Sequence, residues 1–142
     1  MVDKVYSKVQ SDCLLFSVVK MENIGRDRVD LSPEQEPLQV ACKKINSGVK
    51  FKAHKHNPLH RQTEITQEAW VFLRGKVKAK FYDLDDSLID ERILQAGDCA
   101  VVFRAGHAFE VLEDDTLLYE FKNGPYFGVE KDKTFLDEDK SV

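Results

Sequence analysis

The chain has 142 residues, 42% of them hydrophobic, and a formal net charge of −4 from 21 basic and 25 acidic residues. This length predicts a single domain with enough chain to bury a core, and the mildly acidic balance gives no electrostatic case for binding nucleic acid. No stretch approaches the roughly 18 apolar residues of a membrane-spanning helix, and the charged start MVDKVYSKVQSD lacks the apolar run of a signal peptide, so we expect no membrane partner.

The first 35 residues are predicted to form an arm that packs on the rest of the domain or on a partner subunit. Within this arm, CLLFSVVKM (13–21) has the continuous apolar sequence of one buried strand. The following ENIGRDRVDLSPEQEP (22–37) contains glycine, prolines and many charges, which predict a loop. Three cysteines without paired spacing, Cys13, Cys42 and Cys99, predict buried thiols in a reducing, cytoplasmic compartment.

From residue 46 onward, turn signals alternate with short segments rich in Val, Phe, Leu and Tyr. Short strands at regular spacing are typical of an all-β sandwich or barrel. The clearest is KVKAKFY (76–82), in which Val77, Ala79 and Phe81 point to one face and three lysines to the other. Further strands are predicted at 38–44, 49–56, 89–95, 99–103, 107–112 and 116–122.

The segment EAWVFLRG (68–75) is apolar on both faces, because Trp70 and Phe72 alternate with alanine, valine and leucine. Both faces are therefore expected to be covered. The N-terminal arm or another subunit would provide the second cover, and we expect a homodimer. The charged C-terminal tail, 129–142, is expected to fray after Phe135.

All four histidines fall in two short stretches, AHKHNPLH and RAGHAF. They are His54, His56, His60 and His107. The spacing of two between His54 and His56 puts both imidazoles on one face of a strand. Because imidazole is the commonest nitrogen ligand for transition metals, the pattern predicts a metal pocket inside a β-structure.

From the histidines outward the chain resembles a cupin. Gly48 is followed by five residues and then His54-Lys-His56, and Glu68 is followed by six residues and then Gly75. Both spacings match the first cupin motif, whereas the gap between His56 and Glu68 holds eleven residues where the family usually has three or four.

The second cupin motif is represented by Gly97-Asp98 and, after the turn Ala105-Gly106, by His107. The turn is one residue shorter than in the family and lacks its proline. With a full-length turn, Phe109 would occupy the ligand position in place of His107. The resemblance covers roughly residues 36–128.

The resemblance implies a double-stranded β-helix, or jelly roll, over residues 36–128. It also implies one divalent transition metal (Fe, Mn, Ni, Zn or Cu) held by His54, His56, Glu68 and His107. Such a site leaves coordination positions open for substrate or water. Glu64 competes with Glu68 for the role of carboxylate ligand, since it lies nearer His56 in the sequence.

Catalytic groups are expected in the inserted loop between the two halves of the first motif. His60 and Arg61 would belong to a lid over the pocket, with Arg61 meeting an anionic substrate. Glu64 or His60 would serve as the base. Three tyrosines could instead supply a phenol: Tyr82, Tyr119 and Tyr126.

The expected function is an enzyme with isomerase- or lyase-type chemistry on a small polar substrate, either a sugar or an organic acid. Two alternatives stay open: an Fe- or Mn-dependent dioxygenase, and a non-catalytic cupin that binds a small regulatory ligand. The fold does not choose among them, because function resides in the site. No Ser-His-Asp, Cys-His or Walker pattern is present in the sequence.

Overall fold

The computed structural model describes residues 1–25 and 27–137, and its secondary structure is nearly all β. The prediction of an all-β chain is therefore confirmed. The strands are β1 (Asp3–Tyr6), β2 (Leu14–Val19), β3 (Arg28–Asp30), β4 (Ala41–Lys43), β5 (Glu68–Arg74), β6 (Lys76–Tyr82), β7 (Leu88–Gln95), β8 (Cys99–Val102), β9 (Gly106–Val111) and β10 (Leu117–Lys122). A 3-10 turn covers Met21–Asn23 and one short helix, α1, covers Val129–Asp132.

The strands form three antiparallel sheets. The largest has five strands in the order β1-β2-β8-β5-β10, the second has the order β7-β6-β9, and the third is the hairpin β3-β4. Among the described residues these sheets do not close into a barrel. The structure thus shows the all-β class, whereas the finer prediction of a jelly roll stays a prediction.

The main hydrophobic core joins the five-stranded sheet to the three-stranded sheet. Phe16 of β2 and Phe81 of β6 stack with ring centroids 3.8 Å apart, and Trp70 of β5 is fully buried beside them. Burying each of these rings contributes about 1.5–3 kcal/mol to the stability of the folded chain. The predicted alternation of β6 is confirmed, because Val77, Ala79 and Phe81 are completely buried.

A second cluster covers the other face of the five-stranded sheet. Leu31 is completely buried in it, and Leu38 and Val40 pack against it. The prediction that both faces of the segment 68–73 are covered is confirmed at Ala69, which is buried. It fails at the strand's end, where Leu73 keeps 43% of its surface exposed.

The N-terminal residues contribute directly to the largest sheet. The predicted buried strand at 13–21 is confirmed as β2, all six residues of which are buried. β2 lies between β1 and β8, so it is an interior strand. The predicted loop 22–37 contains the short strand β3, and β1 was not predicted from the sequence. Of the tail, residues 138–142 lie outside the described residues.

The predicted strand at 49–56 is wrong. Residues 44–67 contain no strand, and every residue from 43 to 64 is exposed. A strand persists only where a neighbour accepts its backbone hydrogen bonds, and no described strand pairs with this segment. Its apolar residues are left in solvent, with Val49 55% and Phe51 65% exposed.

The three cysteines are free thiols, with Cys99 buried and Cys13 and Cys42 half-buried. Burial raises the pKa of Cys99 to about 12, so this side chain stays protonated at neutral pH. Among the described residues, no helix is both long and apolar enough to cross a membrane.

Candidate functional site

Two of the residues predicted to bind metal meet between the two larger sheets. Glu68 is the first residue of β5, and His107 is the second residue of β9. Although 39 positions separate them in the sequence, Nε2 of His107 lies 3.7 Å from Oε1 of Glu68. The turn at Ala105-Gly106 brings β9 back along β6, where His107 pairs with Phe81. Two residues that the motif spacing names as ligands therefore lie side by side, and their binding of a metal stays a prediction.

Glu68 is a buried carboxylate with several donors around it. Its residue exposure is 6%, and the indole nitrogen of Trp70 donates a hydrogen bond to Oε1. On the other oxygen, Nζ of Lys122 lies 3.2 Å from Oε2. Burial alone would raise the pKa of Glu68, but the hydrogen bonds from His107 and Trp70 outweigh it and lower this pKa to about 2. Glu68 is therefore ionised at neutral pH.

Strand β10 supplies two further charged groups to the site. Lys122 pairs in register with Glu68, and its Nζ also lies 3.1 Å from Oε1 of Glu120. Burial opposes the positive charge of Lys122, yet its bonds to Glu120 and Glu68 raise its pKa above the usual value. The result is a Glu68–Lys122–Glu120 chain of alternating charge.

These groups open into a cavity of about 620 Å³. Trp70 and Phe109 form part of an apolar wall, with their ring centroids 5.3 Å apart, and the ring of His107 stands edge-on to Trp70 at 5.2 Å. Residues 132–136 line the cavity from the C-terminal side, where Thr66 donates a hydrogen bond to Asp132 at 3.0 Å. The cavity thus combines a charged floor with an aromatic wall, as small-ligand sites commonly do.

The remaining predicted site residues lie apart from this cavity. All five lie within residues 44–64, every one of which is exposed, and do not line the cavity: His54, His56, His60, Arg61 and Glu64. The rings of His54 and His56 lie 5.5 Å apart, and Nδ1 of His54 is 2.9 Å from the carbonyl oxygen of Lys52. Within residues 1–25 and 27–137, no group of three or more His, Cys, Asp or Glu side chains could hold a metal ion.

The sequence left open which glutamate is the carboxylate ligand, whether Phe109 replaces His107, and which tyrosine could reach the site. Glu68, and not Glu64, faces His107. Phe109 contributes to the cavity wall two residues after His107. Of the three tyrosines, Tyr82 lines the cavity, whereas Tyr119 and Tyr126 are 59% and 60% exposed and do not line it.

Sequence reasoning missed Glu120 and Lys122. The segment LLYEFK was predicted as part of a strand, and its alternation already places these two charges on one face. Two charges on one face of an otherwise apolar strand are a signal for a polar site.

Comparison of the chain with protein-family models, with curated proteins and with solved structures finds no match.

Proposed function

We propose that the chain is a metal-binding cupin of the jelly-roll type, and that it is an enzyme for a small polar substrate, a sugar or an organic acid. One observation carries the proposal: Glu68 and His107, on strands of two different sheets, converge 3.7 Å apart in a cavity of about 620 Å³. Both are residues that the motif spacing predicts as ligands. A cavity of this volume suits a small molecule.

The donor chemistry at the cavity fits a divalent cation in part. Metal ligands must be deprotonated, and the pKa of Glu68, lowered to about 2, satisfies that condition at neutral pH. The imidazole of His107 is 27% exposed and available to a ligand. Lys122 occupies one oxygen of Glu68 and would have to transfer its hydrogen bonds to Glu120 when a cation binds.

The other two ligands would come from the segment 44–67. His56 precedes Glu68 by twelve positions, so an extended chain could span at most about 40 Å between them. Residues 49–63 carry no strand or turn, and no backbone ladder holds them in place. Closure of this segment would bring His54 and His56 toward Glu68 and would place His60 and Arg61 above the cavity as a lid.

A metal bound there would act as a Lewis acid on an oxygen of the substrate. The chain's own groups would do the rest. The apolar wall at Trp70 and Phe109 would limit water around the substrate, and the Lys122 ammonium would balance the negative charge of Glu68 and Glu120. Glu120, which lines the cavity and whose side chain is 46% exposed, would be the carboxylate that accepts a proton. His60 and Glu64 remain candidates for that base if the segment closes.

The proposal is tested by the metal content of untagged protein purified without added metal, measured by mass spectrometry, and by titration with Zn²⁺, Ni²⁺ and Mn²⁺. We expect one metal per chain in the parent. Glu68→Gln, His107→Ala and His56→Ala should each weaken binding by at least about tenfold. His60→Ala is the matched control from the same segment and should bind as the parent does.

Equal metal content in the parent and in the Glu68→Gln and His107→Ala variants would contradict the proposal. Iron with oxygen uptake would favour the dioxygenase, whereas ligand binding that is insensitive to chelators and without turnover would favour the regulatory module. The three free thiols agree with a reducing, cytoplasmic compartment, which we include in the proposal.

A further inference from the structure

Strand β10 forms one edge of the five-stranded sheet. It pairs with β5 on one side, and none of the described strands pairs with its other side. On the outer face of this strand, Tyr119 is 59% and Phe121 is 51% exposed, with their rings 6.2 Å apart. A free edge strand with exposed aromatic side chains is a template for pairing with another chain.

The hydrogen-bond pattern shows which backbone groups of β10 are free. Asn123 donates its N–H to the carbonyl of Gln67, and Phe121 and Tyr119 pair with Ala69 and Val71 of β5. Because consecutive residues of an antiparallel strand direct their backbone groups to opposite sides, Asn123, Phe121 and Tyr119 point toward β5. The N–H and C=O groups that point to the free edge are those of Leu118, Glu120 and Lys122.

The backbone hydrogen bonds of β5 to its other neighbour, β8, independently show which residues of β5 face β10. The backbone N–H of Phe72 donates to the carbonyl of Asp98, which directly precedes β8. The backbone carbonyl of Phe72 accepts from the N–H of Gly97. Phe72 and, two residues earlier, Trp70 therefore face β8, which leaves Ala69 and Val71 to bond β10. The assignment of the free edge thus rests on both neighbours of β5.

We propose that a second copy of this chain pairs with β10, antiparallel to it, across a two-fold axis. Because backbone groups alternate, a two-fold axis can pass through any residue of β10. Glu120 faces a charged residue of the partner strand in two of these registers, one centred on Glu120 and one centred on Phe121. In the first, Glu120 would face the partner subunit's Glu120, and like charges directly opposite each other are destabilising. In the second, Glu120 faces the partner subunit's Lys122 at two equivalent positions, and Phe121 faces the partner's Phe121.

Charge complementarity therefore selects the register centred on Phe121. A closed two-fold interface of this kind uses the same surface on both copies. It would satisfy the free backbone groups of Glu120 and Lys122 and join two five-stranded sheets into one of ten strands. Because Glu120 lines the cavity and Lys122 binds Glu68 at its floor, the two cavities would flank the axis. This pairing does not depend on the proposed metal.

Single cysteines report the register directly. Facing residues of a non-hydrogen-bonded antiparallel pair have Cβ atoms about 4.5–5.5 Å apart, close to the roughly 3.5–4.5 Å of a disulfide. Phe121→Cys should therefore form a covalent dimer under mild oxidation. Tyr119→Cys and Glu120→Cys are matched controls on the same strand and should cross-link at least about tenfold less. The parent, with Cys13, Cys42 and Cys99, gives the background.

Solution mass provides a second readout, by light scattering at about 50 μM protein, a concentration at which even a micromolar dimer forms. The parent should be a dimer and Phe121→Lys a monomer, because two lysines would then meet at the axis. Leu88→Lys, at a 51% exposed position on β7, should stay a dimer. Thermal unfolding confirms that each variant is folded. A monomeric parent, a dimeric Phe121→Lys, or cross-linking at position 120 in preference to 121 would overturn the proposal.

Discussion

Glu68 shows how one side chain can be both buried and ionised. Removing a carboxylate from water favours its neutral form, yet Trp70 and Lys122 donate to its two oxygens and His107 lies 3.7 Å away. These interactions are absent from the unfolded chain, so the lowered pKa of Glu68 is a contribution to folding. The interactions that keep Glu68 ionised therefore also stabilise the junction of the two sheets.

The pH dependence of stability follows from that shift. A carboxyl with a lowered pKa stabilises the fold above its ordinary pKa of 4.5 and loses the effect as the pH falls toward about 2. Glu68→Gln should therefore lower the free energy of unfolding by about 3 kcal/mol at pH 7 and by much less at pH 3. Urea denaturation at the two pH values measures the difference. Glu91→Gln, which removes a half-exposed partner of Lys78, should cost less than about 1 kcal/mol at both.

For individual residues, the sequence pointed to both Glu68 and His107 but not to their charged neighbours Glu120 and Lys122. Motif spacing, which is independent of the length of the loop between the motifs, named both Glu68 and His107, and their role as ligands stays a prediction. Lys122 could not be identified, since its contact with Glu68 depends on the register of β10 against β5, which sequence alone does not provide. The sequence likewise did not show which of Glu64 and Glu68 lies beside His107, because that depends on where β5 begins.

Among the elements, the corner between β5 and β6, which pair in two different sheets, depends on Gly75. Gly75 adopts a φ of +79°, and a Cβ placed there would lie 2.8 Å from the Cα of Thr116. That distance is too short for a real contact, and the neighbouring backbone would have to move. Gly75 is thus required both for its left-handed conformation and for a close approach between this corner and the residue that precedes β10.

Two glycine substitutions separate these causes. Gly48 has a similar φ of +87°, but a Cβ there meets nothing within 4 Å. We expect Gly48→Ala to cost about 1 kcal/mol for the left-handed conformation alone. Gly75→Ala should cost at least about 1 kcal/mol more, because the Thr116 backbone must also shift. Chemical denaturation measures both, and equal losses would show that the close approach at Gly75 is unimportant.

An alternation of apolar and polar residues predicted a strand correctly where neighbouring strands pair with the segment and its apolar face meets the core. The alternation of β6 was informative because both β7 and β9 pair with it and its apolar face meets the core. The segment 49–56 has a similar alternation, with Val49 and Phe51 on one face, but no described strand pairs with it. Local sequence reports the preference for an extended chain, and tertiary pairing decides whether a strand forms.

For the whole molecule, the largest gap in the sequence-based prediction was topology. The composition and the spacing of turns were enough for an all-β chain, but β2 joins β8 across about eighty residues, and no local pattern specifies such a pairing. The N-terminal residues consequently provide an interior strand of the largest sheet. Leu15 and Phe16 of β2 are completely buried in the core that also holds Trp70.

This arrangement predicts the outcome of truncation. A fragment that begins at residue 36 lacks β2, so β8 loses one of its two hydrogen-bonded neighbours and the core loses Leu15, Phe16 and Val18. Losing even one large core side chain costs about 2–5 kcal/mol, and the total stability of a domain is only about 5–15 kcal/mol. We therefore expect the fragment to lack a cooperative thermal transition and the near-ultraviolet dichroism of a packed Trp70.

The matched control begins at residue 11 and removes only the edge strand β1. β1 pairs solely with β2 and contributes the partly buried Val5 to the core. This shorter truncation should leave a folded protein that melts cooperatively at a lower temperature, because the interior order from β2 to β10 is preserved. Cooperative unfolding of the fragment from residue 36 would instead mean that the remaining strands form a complete core, and that β2 is an accessory to the fold.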